Sequence, residues 1–162
     1  MTKFDLDPSK QQQKLTVKLF KNVKNCDDLR KKLMSGKLDC CMIKSKLIPD
    51  PFLIVVAANK AICAEKLTTR TINTEILFNL SISKNISQSL QLFGADDKET
   101  DMYVATLNED FDFGVIAGEE VDFGGCPVDR KLLQKTYKLK DYEMGEQLVA
   151  AICNKIVIKD FN

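Results

Sequence analysis

Six cysteines, at positions 26, 40, 41, 63, 126 and 153, are the side chains most able to do covalent or metal chemistry, and the chain holds no histidine to assist them. A thiol acts as nucleophile or ligand only as thiolate, which needs a base, a positive charge or a metal beside it. Without imidazole, neither a Ser-His-Asp nor a Cys-His arrangement can be built, and the general base that titrates near neutral pH is missing. None of the cysteines forms a Cys-x-x-Cys pair. Zinc would need four thiolates from scattered positions, or the adjacent Cys40 and Cys41, which is poor ligand spacing. Cys63 and Cys153 fall inside apolar helical patterns and read as small core residues. Cys40 and Cys41 have only Lys44 and Lys46 nearby as activators, so a Cys-dependent hydrolase ranks last among the functions considered. No phosphate-cradling Gly-x-x-x-x-Gly-Lys loop or Gly-x-Gly-x-x-Gly turn occurs, and no paired-carboxylate motif stands out. The expectation is a binding protein, not an enzyme. It assigns no catalytic residue, metal, cofactor or small-molecule substrate.

Charge is the second chemical resource. The net charge of +1 hides three blocks. Residues 1–92 carry 16 Lys/Arg against 8 Asp/Glu, residues 93–126 carry one against ten, and residues 127–162 carry seven against five. Such blocks describe either a solvated surface or a basic face with a separate acidic loop. Lys60, Lys66, Arg70 and Lys84 share one rim if the helices bearing them pack side by side, an arrangement suited to phosphates. No aromatic platform is interleaved with them, as single-stranded nucleic acid would favour.

The elements that must position these groups fit one α/β domain with helices packed on a central mixed sheet. The 162 residues, 44% hydrophobic and 29% charged, suit a single globular core over 14–162. Residues 1–13 read as a flexible N-terminus. No run of about eighteen apolar residues exists, and the N-terminus lacks a signal-like apolar core, so the expected location is cytoplasm and nucleus, away from membranes. Lys14 to Phe20 alternates as a strand. Asn25 caps a helix that has Asp27 and Asp28 in its first turn and Gly36 as its stop. A short strand falls within 38–48. Asp50-Pro51 opens a helix that is apolar nearly all round, through Ala61 and Ile62. Residues 69–72 read as extended, Asn73 or Thr74 caps the next helix, and Asn85-x-x-Gln88 caps another that Gly94 ends. Met102 to Leu107 is a strand, and 108–126 is an acidic hairpin or long loop. Residues 130–139 are amphipathic. Tyr142 to Ile156 reads as a terminal helix capped by Asp141. Its stripe of Met144, Leu148, Ala151 and Ile152, widened by Val149 and Ile156, either packs on the sheet or leaves an apolar patch for a partner.

The run Leu19-Phe20-Lys21-Asn22-Val23-Lys24-Asn25 followed by Asp28-Leu29-Arg30 resembles the TPRKB family. So do Asp50-Pro51-Phe52 leading to Val56–Ala61, Thr69-Arg70-Thr71, Thr74–Ser81, and Asn85-Ile86-Ser87 through Phe93-Gly94. Tyr137-Lys138-Leu139 and Ala150-Ala151-Ile152-Cys153 fit as well. The resemblance covers about residues 15–95 and, more loosely, 130–155; nothing is carried onto 96–126. It implies a non-catalytic subunit of the KEOPS (EKC) complex. Such a subunit binds a PRPK-like atypical kinase directly and the other subunits indirectly, and it supports threonylcarbamoyladenosine modification of tRNA. On that basis Ile76, Leu80, Leu148 and Ile152 are the expected kinase-facing residues, and Lys60, Arg70 and Lys84 the expected tRNA contacts. The alternative is a stand-alone RNA-binding α/β domain that needs no kinase.

Overall fold

A computed structural model describes residues 2–9 and 13–161. Its centre is strand β2, Lys14–Lys21, where apolar and polar residues alternate. Successive strand side chains point to opposite faces, so Leu15, Val17 and Leu19 face one core while Lys18 and Phe20 face the other. On one side β2 pairs with β4, Met102–Thr106, and β4 pairs with β3, Cys41–Lys44. On its other side β2 carries two short strands in succession. These are β1, Thr2–Asp5, with Thr2 opposite Val17, and β5, Glu119–Val121, with Val121 opposite Leu19. Every pairing is antiparallel, so the central sheet with helices on it is observed, but the sheet is not mixed.

The register stacks like with like. Val17, Ala105 and Cys41 form one row across three strands, and Leu19, Tyr103 and Ile43 form the next; all six face the larger core. Over this face lie α2 (Phe52–Cys63), α3 (Ile72–Leu80), α4 (Ile86–Phe93), α5 (Arg130–Thr136) and α6 (Leu148–Ile158). Helix α2 packs against both α3 and α6, and its small residues Ala57, Ala58 and Ala61 are buried. Removal of this apolar surface from water is the main force holding the layers together.

The opposite face is also covered, by α1 (Cys26–Met34) and by the acidic segment. Phe113 stacks on Phe20 with ring centroids 6.4 Å apart, and Phe111 meets Phe113 edge-on at 4.9 Å. Lys18 lies 4.5 Å over the Phe113 ring and pairs with Glu120 at 3.4 Å. The segment therefore turns Phe111 and Phe113 inward and most of its carboxylates outward, with β5 as its strand piece. Asn25 pins it. The Asn25 side chain makes no cap bond to α1; its amide donates to Val115 O at 2.9 Å and its carbonyl accepts from Ala117 N at 3.0 Å.

Several expectations are corrected. Thr2–Asp5 is paired sheet, not a flexible end, while residues 10–12 of that expected tail lie outside the described residues. Helix α3 starts at Ile72, capped by Thr71 in a reciprocal box with Thr74, because the Thr71 hydroxyl accepts from Thr74 N at 3.1 Å. The terminal helix is broken. Asp141–Met144 is a 3-10 turn, Gly145 adopts φ −94°, ψ −136°, and α6 begins only at Leu148. Asn85 caps α4 as expected, accepting from Gln88 N at 3.0 Å, whereas α2 begins at Phe52 with Pro51 in the cap position, and Asp50 accepts from Phe52 N at 2.8 Å. No helix among the described residues is long and apolar enough to cross a membrane.

Candidate functional site

Four of the six thiols, Cys26, Cys40, Cys41 and Cys126, lie in the two cores. Cys40 and Cys41 are neighbours on a strand edge, so they point to opposite faces, one into each core. Burial pushes the Cys26 thiol up to about 11 and the Cys40 thiol to about 12, and it raises Cys41 well above the ordinary thiol range. Cys126 is raised as well, again chiefly by burial. Protonated thiols of this kind are poor nucleophiles and poor ligands. Cys63, half-buried, donates to Asp7 Oδ2 at 3.3 Å. Among the described residues no three Cys, Asp or Glu side chains are grouped to hold a metal ion.

The four residues expected to face a kinase are interior. Ile76, Leu80 and Ile152 are fully buried and Leu148 nearly so, all within the core between sheet and helices. The wide stripe on α6 is explained by its neighbours, since the helix packs beside α2 and against the 3-10 turns at its two ends, within the larger core. These side chains hold the domain together and present no surface to a partner. Exposed apolar side chains occur one turn further on: Val157, Ile158 and, 85% exposed, Phe161.

That same end of the chain carries the positive cluster. Lys60, in the last turn of α2, donates to Ile156 O at 2.9 Å and pairs with Asp160 at 3.3 Å. Lys159 is buried; its ammonium donates to Phe78 O at 2.6 Å and lies 3.4 Å over the Phe78 ring. Both lysines thus satisfy carbonyls in the last turns of helices, where the helix dipole favours a cation. Burial lowers the Lys159 ammonium from 10.5 to about 8; the charges of Lys60 and Lys84 push the same way, and Asp160 and Glu75 oppose them.

Glu75 organises the loop before α3. It is buried, and its carboxylate accepts from Thr68 N at 3.1 Å, Thr69 N at 2.8 Å and the Thr69 hydroxyl at 2.8 Å. The loop so held carries Lys66 and Arg70 on the surface. Of the expected tRNA contacts, Lys60 is bound to the end of α6 beside Lys159, Lys84 is exposed before α4, and Arg70 sits exposed on the loop that Glu75 fixes. Lys60 is already engaged twice, while Arg70 and Lys84 are exposed. Lys159 has no signal in the sequence, because a lysine near a chain end reads as solvated. Its burial comes from the 3-10 turn after α6, which sets the ammonium against Phe78 at the end of α3.

A sequence model of the family described as "Kinase binding protein CGI-121" matches residues 20–160, nearly the whole of this two-faced fold. The chain belongs to that family. Among curated proteins it is similar to the EKC/KEOPS complex subunit TPRKB of Danio rerio, at 34% identity over 160 residues, covering 90% of this chain and 91% of that one. It is also similar to the EKC/KEOPS complex subunit CGI121 of Kluyveromyces lactis, at 29% over 149 residues and 90% of each chain. A third relative, the CGI121 subunit of Yarrowia lipolytica, is 27% identical over 136 residues, 78% of this chain and 80% of that one. The acidic stretch 96–126, onto which the sequence motifs carried nothing, lies inside the family match.

Proposed function

We propose that this chain is the non-catalytic, kinase-binding subunit of a KEOPS-type complex, and that it supports threonylcarbamoyladenosine modification of tRNA in cytoplasm and nucleus. The observation that carries the proposal is the family match across residues 20–160, which takes in the smaller core and all five helices over the larger one. The direct partner is the complex's PRPK-like kinase, and the other subunits are reached through it. The surface offered to the kinase is the apolar end of the chain, Val157, Ile158 and Phe161, in place of the buried Ile76, Leu80, Leu148 and Ile152. Aromatic and aliphatic side chains exposed together in one turn are what an interface core uses.

Lys60, Arg70 and Lys84 bind tRNA through its phosphates, a mode that positions nucleic acid without reading sequence. Neutralising all three tests this. Binding of an unmodified tRNA transcript weakens, and the log–log salt slope flattens by about 0.9 for each phosphate no longer neutralised. An unchanged slope contradicts the assignment. Co-expression with the cognate kinase tests the partner; a chain that binds tRNA but never co-purifies with the kinase would instead be a stand-alone RNA-binding domain.

A further inference from the structure

Two carboxylates lie in the field of the lysine cluster, and they differ in kind. Glu75 is buried and bonded to Thr68 and Thr69. Asp160 is 66% exposed at its side chain and rests 3.3 Å from Lys60 Nζ, whose own side chain is only 19% exposed. We propose that Asp160 occupies, in the unbound chain, the place on Lys60 that a phosphate oxygen takes, so the C-terminal turn is an internal competitor for the polyanion site. This rests on the reading of Lys60, Arg70 and Lys84 as tRNA contacts.

The geometry makes the exchange inexpensive. A solvent-exposed ion pair is weak and screened by salt. Lys60 does not depend on it for its orientation, because its bond to Ile156 O holds the ammonium in place. The turn is anchored one residue earlier, where Lys159 is fixed at Phe78 O. Asp160 and Phe161 lie beyond that anchor and are both exposed, so they can turn away without disturbing α6. Once Asp160 leaves, the positive field of Lys60, Lys84 and Lys159 is no longer offset by a carboxylate of that turn.

The test uses the full chain as wild type, Asp160→Asn, Lys60→Ala and the double variant, titrated with an unmodified tRNA transcript across a salt series. Asp160→Asn is expected to bind three- to tenfold more tightly at low salt, and its log–log salt slope is expected to steepen by about 0.9, one further phosphate neutralised. Both gains are expected to vanish in the double variant. The inference is overturned if wild type binds tRNA and Asp160→Asn matches it in affinity and slope. It is also overturned if the gain survives without Lys60, which would report a general loss of negative charge. If neither wild type nor Asp160→Asn binds tRNA, the tRNA reading itself fails, and the competitor falls with it.

Discussion

The Tyr137 hydroxyl donates to the carbonyl of Leu80 at 2.6 Å, with both residues fully buried. The bond joins the end of α5 to the end of α3, and it satisfies a last-turn carbonyl that α3 cannot satisfy itself. Tyr137 also packs on Phe93, with ring centroids 5.8 Å apart, so one side chain ties α3, α4 and α5 together. Burial raises its phenol far above the ordinary range, and it remains a donor at every working pH.

Tyr137→Phe keeps the ring and removes the donor. Leu80 O is then buried and unpaired, which costs about 1–3 kcal/mol. A urea titration should show a lower midpoint at unchanged slope, and kinase binding by the folded fraction should be untouched.

Lys159 makes stability depend on pH in a definite direction. Its ammonium titrates near 8 in the fold and near 10.5 when unfolded. Between those values the unfolded chain holds the extra proton, so stability rises with pH across this window and is lost again as pH falls towards 8. The raised thiols act oppositely at high pH, so the comparison is with Lys159→Met, which carries the same cysteines. The urea midpoint of wild type should gain on that of the variant from pH 8 to pH 10. A constant gap would mean that Lys159 is not buried as an amine.

The cysteines should divide by burial. In the native chain Cys63 and Cys153 are partly accessible and the other four are buried. An alkylating reagent at pH 7.5 should therefore modify those two first, with all six reacting after unfolding. Rapid native labelling of Cys40 or Cys41 would contradict the packing of β3 between two cores.

Two charge insertions into α6 should have opposite consequences. Ile152→Glu puts an unpaired charge where the native side chain has no solvent contact, and it should cost more than about 4 kcal/mol and unfold much of the protein. Ile158→Glu, at a position 47% exposed, should shift stability by no more than about 0.5 kcal/mol while removing kinase binding.

Much of the scaffold is legible in the sequence because local rules decide it. The alternation in Lys14–Phe20, the Asp50-Pro51 start and the Asn85 cap each act within a few residues. The start of α3 is misplaced because Thr71-Ile72 is β-branched and reads as extended, although a hydroxyl cap two residues earlier serves the helix better. The break at Gly145 hides inside an amphipathic run. Burial on α6 is not legible, because a wide apolar stripe describes equally a helix with two neighbours and one with an exposed patch. The positive cluster is half legible: Lys60 and Lys84 stand out by type, whereas Lys159 and Asp160 acquire their roles only when the turn after α6 meets Phe78 and Lys60.

The central claim for this chain is that it binds the kinase through the C-terminal turn. The decisive experiment is size-exclusion chromatography of the purified chain mixed with its cognate PRPK-like kinase at micromolar concentration, with wild type and Phe161→Asp run side by side. Wild type should elute as a one-to-one complex and the variant as separate peaks. Separate peaks for wild type, or an undiminished complex when Phe161→Asp and Ile158→Glu are combined, would contradict docking through this turn.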